Sequence, residues 1–453
     1  MSLLQLTVCI VALVPLGFLY GNDVSARGVL VHGPPVGPDA ASARAVRMAL
    51  RWLKATQNDD GTWSTKPELG LTRGMEPVAG AGFAVLAFLS SGETPQSREF
   101  GPTVEKAINY LINSVYEVKD KHGNLAKDPN GNTPYVKMRG AGGSEYGFLI
   151  GTFALCEAYG MTGNPNVREA AEKTLARIIS GQTPTGGWNY NLKCEPSEGA
   201  PDDISFGGWA MQALKASQEA GIQLPGMDEC IKKAIKCIQT RNYSEKAGFV
   251  YRATNNHKDG GGGLAGAGCL AMQLFGYTNE PEVENALRVM ADWQPSLDRE
   301  YPYVKNGTRH NPQYYCYYAS HCKYLAGMAK NSTPANFRLW KKWVQEMKPL
   351  YSKSIIIVID KETNLPYTVK DANGKPRKIG HWVTGDHYNY DVMGTCLVTL
   401  QLTHSYYWHY WRRRRSWNCR PVRWTTPQSK AIEPEAESFL NDPSGEVDVL
   451  IDL

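Results

Sequence analysis

The sequence predicts an all-α protein built as an (α/α)6 toroid, a double ring of six inner and six outer helices. Five times along the chain a helical run ends in Gly, and after a few residues a Pro opens a new amphipathic helix. Gly suits the left-handed C-cap of one helix and Pro the first turn of the next. Each link therefore joins two antiparallel helices, and the helices on its two sides differ in composition.

The helix pairs follow one another along the chain in a regular order. The links begin with "SSGETP" at 90, "AYGMTGNP" at 158, "EAGIQLP" at 219, "LFGYTNEP" at 274 and "LAGMAKNSTP" at 325. Helices after each Pro, such as "VREAAEKTLARII", carry Lys, Glu and Arg on one face, which predicts half-exposed helices. With "ASARAVRMALRWLKATQ" at the start, they supply the six outer helices.

The helices before each Gly are apolar nearly all round and rich in Gly and Ala, which predicts burial between close neighbours. They are "AGFAVLAFLSS", "YGFLIGTFALCEAYG", "ISFGGWAMQALKASQ", "GLAGAGCLAMQLFG", "QYYCYYASHCKYLAGM" and "YDVMGTCLVTLQL". They are the inner ring. A single domain over residues 40–405 accounts for all twelve helices.

A short motif ends two of the outer helices. "QNDDGTW" and "QTPTGGW" share Gln, Gly and Trp at the same spacing, which are Gln57, Gly61 and Trp63 in the first copy and Gln182, Gly186 and Trp188 in the second. We expect Gln to bond to the last carbonyls of the helix, Gly to permit the turn and Trp to pack on the adjacent pair. The motif is predicted to fasten one repeat to the next.

The two ends of the chain lie outside this domain. An apolar run from Leu3 to Tyr20 and the small residues up to Ala26 predict a signal peptide or N-terminal anchor over 1–26, hence an exported, extracytoplasmic protein, with a linker over 27–39. Residues 406–424 contain many aromatic side chains next to Arg412 to Arg415. This segment is a candidate for contact with a membrane surface. Residues 425–453 are acidic and predicted to be disordered. The alternative is that the acidic segment 425–453 and the basic segment 406–424 neutralise each other's charge.

The composition bears on nucleic-acid binding and on the state of the cysteines. A net charge of +5 over 453 residues does not favour nucleic acid. Most cysteines fall inside apolar helical patterns, which favours buried free thiols over a disulfide framework. The sequence gives no indication of oligomeric state.

The repeat and both Gln-to-Trp motifs resemble those of the squalene and hopene cyclases and the wider prenyltransferase and squalene-oxidase family. Together with "DDISFGGWAMQALKAS" and "GHWVTGDHYNYDVMGTCLVTLQL", the chain looks like exported bacterial members of that group, most of which lack an assigned reaction. The resemblance implies the toroid and an isoprenoid ligand.

The chemistry of that family is only partly matched. The acid motif of the cyclases becomes Ala200-Pro201-Asp202-Asp203, which lacks the first Asp, and the zinc motif of the protein prenyltransferases becomes Asp203-Ile204-Ser205, which lacks the thiolate. We therefore expect no metal and no cofactor.

A ligand site is expected at one end of the ring. All inner helices run the same way, so their N-termini and the long connections share one end, which we call the mouth. Helix N-termini favour negative charge, so an anionic ligand is predicted there. The predicted ligand-binding residues are Arg139, Glu145, Trp209, Arg252, His257, Arg309, His310, Tyr314 and Tyr390.

The candidate catalytic residues are Asp202, Asp203, His387 and Asp391. Asp203 precedes a helix and is also a natural N-cap, and Glu145 is either a mouth carboxylate or a first-turn residue that the helix dipole favours. His387 and Asp391, with Asp386, resemble the start of a metal site but have no fixed spacing. His310, Cys316, His321 and Cys322 form a weaker cluster, because offsets of five and six do not share a helical face.

Three functions remain open from the sequence. The first is an enzyme or carrier for a polyprenyl diphosphate, held by a cationic mouth and an apolar bore. The second is a lyase or binding protein for an acidic polysaccharide, with Arg139, His387, Tyr388 and Tyr390 as its site. The third is a non-catalytic envelope scaffold. A deep aromatic bore favours the first, an open groove the second and a plugged ring the third.

Overall fold

The computed structural model describes residues 39–143, 145–194, 202–251, 264–297, 312–329, 331–384 and 390–416, with side chains described as far as residue 403. The outer helices are α1 (Ala40–Thr56), α3 (Gly101–Ser114), α5 (Pro165–Ser180), α7 (Met227–Thr240), α9 (Pro281–Val289) and α11 (Pro334–Ser354). The inner helices are α2 (Pro77–Ser90), α4 (Tyr146–Thr162), α6 (Ile204–Glu219), α8 (Ala265–Leu274), α10 (Pro312–Met328) and α12 (Asp391–Ser416). The last of these continues past residue 405.

Burial separates the two kinds of helix. In the inner helix α2, every residue from Val78 to Ser90 is buried, since the segment contains no charged side chain. In the outer helix α7, burial recurs every three or four positions, at Met227, Cys230, Ile231, Ala234, Ile235, Cys237 and Ile238. A helix that buries one stripe lies at the surface of the fold, and one buried all round lies inside it.

The inner helices form a closed ring. Each packs against the next in the order α2, α4, α6, α8, α10 and α12, and α12 packs against α2 to close the circle. Outside them, α1 packs against α11. Glycine allows the close approach: a Cβ at Gly82 of α2 would lie 3.2 Å from the carbonyl oxygen of Ile150 in α4. The predicted (α/α)6 toroid is confirmed.

Short strands lie in connections that lead from an outer helix to the next inner helix. The four antiparallel pairs are β1 (Val115–Glu117) with β2 (Val136–Met138), β3 (Tyr243–Ser244) with β4 (Gly248–Phe249), β5 (Ile356–Ile357) with β8 (Gly380–His381), and β6 (Thr368–Lys370) with β7 (Pro376–Lys378). None of the helices in the described part of the chain is long and apolar enough to cross a membrane.

The two Gln-to-Trp motifs have the same geometry. Trp63 Nε1 donates to the Leu53 carbonyl at 2.9 Å, and Trp188 Nε1 donates to the Ile178 carbonyl at 2.9 Å, each in the last turn of the motif's own helix. Gln57 Nε2 reaches instead the Thr103 carbonyl of α3 at 2.9 Å. Trp thus takes the bond that the sequence analysis gave to Gln, and Gln bonds to the next outer helix.

The second copy repeats this contact between outer helices. Gln182 Nε2 donates to the Cys230 carbonyl of α7 at 2.7 Å. Both motif glycines have positive φ, +92° at Gly61 and +99° at Gly186, and a Cβ on either would lie 2.3 Å from a carbonyl oxygen of the neighbouring outer helix. Only glycine fits a turn pressed this closely against a backbone.

Candidate functional site

The mouth is assembled from the starts of the inner helices. Each inner helix follows a long connection from an outer helix, and each ends in a short link, so the long connections gather at one end of the ring. One set of polar side chains at this end surrounds the N-terminus of α6.

Asp203 caps that helix. Its Oδ1 accepts from the backbone N–H of Ser205 at 2.9 Å and of Phe206 at 3.2 Å, and from the Ser205 hydroxyl at 2.6 Å. Asp203 is only 2% exposed. The N-cap role that the sequence predicts is therefore present, and it fixes the direction of the carboxyl group.

Two tyrosines meet this cap through Ser205. The Tyr146 hydroxyl lies 2.6 Å from Ser205 Oγ, and the Tyr314 hydroxyl donates to the Ser205 carbonyl at 2.8 Å. Tyr146 starts the neighbouring helix α4, and Tyr314 lies in the first turn of α10, so residues from three inner helices converge here.

Two further tyrosines lie beside Asp203. The hydroxyls of Tyr190 and Tyr251 are hydrogen-bonded to each other, and the Asp203 carboxylate is near enough to raise the pKa of both phenols. The Tyr190 ring packs on Tyr146 at 5.5 Å and edge-on to Phe206 at 5.8 Å. We call the set Tyr146, Tyr190, Asp203, Ser205, Tyr251 and Tyr314 the tyrosine–aspartate cluster.

The tyrosines of this cluster have raised pKa values. Burial, followed by the charges of Tyr146 and Asp203, raises the pKa of Tyr190 well above its usual range, and burial is also the largest cause that raises the pKa of Tyr251 and of Tyr146. Phenols with raised pKa values stay neutral at physiological pH. The cluster thus offers hydroxyl groups beside a carboxyl group.

The floor beneath the cluster is aromatic and closed. The Trp209 ring of α6 packs against the rings of Phe83 in α2, Phe153 in α4 and Tyr317 in α10. The distances between ring centroids are 5.6 Å, 6.5 Å and 5.6 Å in that order, and Trp209 is 2% exposed. Below it, the Tyr317 hydroxyl donates to Gln212 Oε1 at 2.6 Å. Four inner helices meet in this cluster of side chains, so the expected apolar bore is filled at this level. Trp209 is a core residue at the base of the mouth.

Asp202 has a different environment from Asp203. It accepts from the hydroxyls of Thr183 at 2.6 Å and Thr185 at 2.7 Å, and it pairs with Arg241 Nε at 3.1 Å. These contacts tie the second Gln-to-Trp turn to the end of α7. Asp202 has the partners of a structural residue.

Asp391 and Tyr390 lie at the start of α12 and contact the connection before α2. Asp391 Oδ2 accepts from Thr72 N at 2.7 Å, from the Thr72 hydroxyl at 2.8 Å and from Arg73 N at 3.1 Å. The Arg73 guanidinium lies 5.5 Å from the Tyr390 ring. Since α12 meets α2 where the ring closes, these contacts fasten the closure.

The other predicted mouth residues are dispersed. Arg139 is exposed and its guanidinium lies 5.7 Å from the Tyr116 ring. Glu145 precedes α4 and is partly buried, and burial raises its pKa against the opposing charges of Arg177 and Lys137. Arg252, His257, Arg309, His310, Asp386, His387 and Tyr388 lie outside the described residues, as do the N-terminal segment 1–38 and residues 417–453.

The cluster around His321 does not converge on one point in the described chain. Cys316 Sγ faces the Ser296 carbonyl, Cys322 Sγ faces the Gly266 carbonyl, and His321 Nδ1 lies 2.8 Å from the Tyr317 carbonyl. No group of three or more His, Cys, Asp or Glu side chains in the described part of the chain is arranged to hold a metal ion.

Tyr146, Tyr190, Ser205 and Tyr251 were not among the site residues predicted from the sequence. A signal was present, because Tyr146 and Ser205 occupy the first two positions of inner helices and Tyr190 follows the motif residue Trp188 by two. These positions were enough to indicate Tyr146, Ser205 and Tyr190, whereas no comparable signal marks Tyr251.

No family model and no curated protein sequence matches the chain. Solved structures do resemble its fold. An α-1,6-mannanase from Salegentibacter sp. aligns with 80% of this chain and 98% of its own, at 10% identity and a TM-score of 0.50. A cellobiose 2-epimerase from Bacillus thermoamylovorans aligns with 80% of this chain and 98% of its own, at 13% identity and a TM-score of 0.50.

These neighbours correct the function expected from the sequence. Both are toroids named for saccharides, and neither is a prenyltransferase or a squalene cyclase. The toroid part of the resemblance holds, whereas the isoprenoid function is wrong. The filled bore around Trp209 gives the physical reason, because the space expected to hold a polyprenyl chain contains packed side chains.

Proposed function

We propose that this protein is a carbohydrate-active toroid that binds a saccharide in its mouth against the tyrosine–aspartate cluster. The observation that carries the proposal is the placement of Asp203 beside Tyr190 and Tyr251 at the start of α6. Sugar hydroxyls both donate and accept hydrogen bonds. A carboxyl group that accepts and neutral phenols that donate are their matching partners.

Aromatic rings supply the second half of such a site. Tyr146, Tyr190 and Tyr314 are each partly exposed, so part of each side chain is accessible to a ligand. Ligand sites are typically lined by aromatic groups with a few polar groups that fix orientation. The two similar structures support the ligand class, since a mannanase and a cellobiose epimerase both take their names from saccharides.

Asp203 is the group we assign to acid–base chemistry. Glu145 is a second carboxyl group, at the start of the neighbouring helix α4, and burial raises its pKa. Two carboxyl groups in different environments are what glycosidic-bond chemistry uses. Elimination by a tyrosinate base is not favoured, because the pKa values of Tyr190 and Tyr251 are raised and both phenols keep their protons.

Two expectations from the sequence accompany this proposal. The N-terminal segment predicts export, and an exported protein would meet saccharides outside the cytoplasm. A non-catalytic scaffold is the second candidate function, and the filled ring around Trp209 is the observation that favours it.

A binding and turnover screen tests the proposal. The purified chain would be titrated by calorimetry with neutral and acidic oligosaccharides of several linkages, and each mixture would be analysed for products by chromatography. We expect one saccharide class to bind, and we expect Asp203→Asn to weaken that binding about tenfold or more and to abolish turnover. Asp202→Asn is the matched control and should leave the affinity unchanged.

Other outcomes separate the candidates. Binding without turnover in the wild-type chain would remove the catalytic role and leave a saccharide-binding protein. Equal loss of binding in the two Asp variants would remove the assignment to Asp203. If no saccharide binds, the proposal fails and the scaffold becomes the leading function.

A further inference from the structure

The inner helices α8 and α10 approach each other closely. A Cβ placed on Gly266 of α8 would lie 2.7 Å from the Tyr318 Cβ and 3.3 Å from the Ala319 nitrogen of α10. Both are inner helices and run in the same direction. One helical turn further along both, the side chains that face each other again come close together.

Two cysteines occupy that next turn. Cys269 of α8 and Cys322 of α10 are both completely buried. Cys322 Sγ lies 3.2 Å from the Gly266 carbonyl, and Gln273 Nε2 donates to the Cys322 carbonyl at 3.2 Å. Because Gly266 and Gln273 lie on α8 on either side of Cys269, Cys269 and Cys322 are at the same level. Cys269 is also near enough to Cys322 to raise the pKa of its thiol, although burial is the larger cause.

We propose that Cys269 and Cys322 are a site of disulfide formation that joins α8 to α10 within the inner ring. The oxidant is a small disulfide such as oxidised glutathione. One thiol loses its proton and attacks a sulfur of the oxidant, which releases the first glutathione thiol. The second cysteine then attacks the mixed disulfide and releases the second. Two thiols are oxidised, the S–S bond of the oxidant is reduced, and both protons pass to the glutathione thiols.

The position of the link gives it a consequence for the fold. Helix α8 has 10 residues, whereas α6 has 16 and α10 has 17. A short helix holds its place in a ring through fewer contacts and opens more easily than its neighbours. A covalent bond to α10 would hold this short helix in the inner ring.

The other described cysteines provide controls. Cys316 lies on the same helix as Cys322 and is equally buried, but its Sγ faces the Ser296 carbonyl at 3.8 Å. Cys316→Ser therefore removes a buried thiol from α10 without removing either member of the proposed pair.

Peptide mapping tests the proposal directly. The purified full chain would be incubated under native conditions with oxidised glutathione, its remaining thiols blocked, and the protein digested without reduction for mass spectrometry. We expect a joined peptide pair that contains Cys269 and Cys322, and a rise of a few degrees in Tm that dithiothreitol reverses. Cys269→Ser and Cys322→Ser should each abolish the joined pair and the rise, whereas Cys316→Ser should retain both.

Two results would overturn the proposal. The first is a glutathione adduct on Cys269 or Cys322, or unreacted thiols, with no joined pair in the native protein. The second is a joined pair that forms only after the chain is unfolded in urea, because the native packing of α8 on α10 would then not be its cause.

Discussion

Asp202 and Asp203 are consecutive in the chain, yet their carboxyl groups bond to different parts of the fold. Asp202 bonds to Thr183, Thr185 and Arg241 and ties a turn to an outer helix. Asp203 caps α6 and contacts two tyrosines of the mouth. The pair therefore provides matched variants for testing the proposed role of Asp203.

The first prediction concerns the stability of these two variants. Asp202→Asn should lower the free energy of unfolding by about 2 kcal/mol, because it removes the ion pair of a buried carboxylate with the part-exposed Arg241 and weakens two hydrogen bonds. Asp203→Asn should lower it by about 1 kcal/mol or less, since Asn is as good an N-cap as Asp. Urea unfolding followed by circular dichroism measures both values. A larger loss for Asp203→Asn would contradict the division of roles.

The second prediction concerns the Gln-to-Trp turns. Gly61→Ala should lower the free energy of unfolding by roughly 3 kcal/mol, because the residue has φ of +92° and its new Cβ would lie 2.3 Å from the Lys106 carbonyl oxygen. Gly163→Ala is the control, with φ of +65° and no atom within 4 Å of the new Cβ. It should cost about 1 kcal/mol, the strain of the left-handed conformation alone. Equal losses in chemical denaturation would refute the packing argument.

The third prediction concerns a buried ion pair beneath the mouth. Asp128 Oδ2 lies 3.2 Å from Arg177 Nη1, and both side chains are almost fully buried. Asp128→Asn should cost about 3 kcal/mol or more, because Arg177 would keep a buried charge without its anion. Glu172→Gln removes the anion of the exposed pair with Arg168 and should cost less than about 1 kcal/mol. Thermal and urea unfolding of both variants at one salt concentration would decide the matter.

The fourth prediction concerns pH. Burial lowers the pKa of His321 to about 4 from 6.5, against the raising effect of its bond to the Tyr317 carbonyl. Between those values the unfolded chain binds a proton at this residue and the folded chain does not, so stability is complete above pH 6.5 and falls as the pH drops towards 4. The loss attributable to His321 should reach about 3 kcal/mol.

The variant His321→Gln isolates that contribution. Its free energy of unfolding should change less with pH than that of the wild type across this window, because its side chain does not titrate. Denaturant titrations at a series of pH values measure the difference between the two proteins. Parallel curves would mean that His321 is protonated in both states or in neither.

The fold could be predicted from the sequence because its signals are local and repeated. Gly163, whose positive φ ends α4, and Pro165, which opens α5, mark a helix link without any knowledge of tertiary contacts. The apolar composition of α2 similarly identifies an inner helix. Such features depend on propensity and periodicity, which a sequence displays directly.

The site was harder to predict because its residues are close only after the ring forms. Tyr190 lies in the connection between α5 and α6 and Tyr251 in the connection between α7 and α8, so the two residues are 61 positions apart in the chain. No spacing in the sequence encodes that meeting. The sequence also favoured the cations of the mouth, whereas the convergent groups near α6 are phenols and one carboxyl group.

The packing of side chains inside the ring could likewise not be predicted from the sequence. Trp209, Phe83 and Tyr317 read equally well as the lining of a cavity and as its filling, because the residue types are the same in both cases. Whether these residues line a cavity or fill it depends on the distance between the inner helices. That distance depends on small residues such as Gly82 and Gly266. A sequence gives these residues but not the distances that they permit.

The most direct test of the central claim is a crystal structure of the chain with the oligosaccharide that binds most tightly. We expect electron density for a sugar ring in the mouth, with hydroxyls within hydrogen-bonding distance of Asp203 and of Tyr190 or Tyr251. Density for the saccharide at another surface, with the tyrosine–aspartate cluster unoccupied, would contradict it.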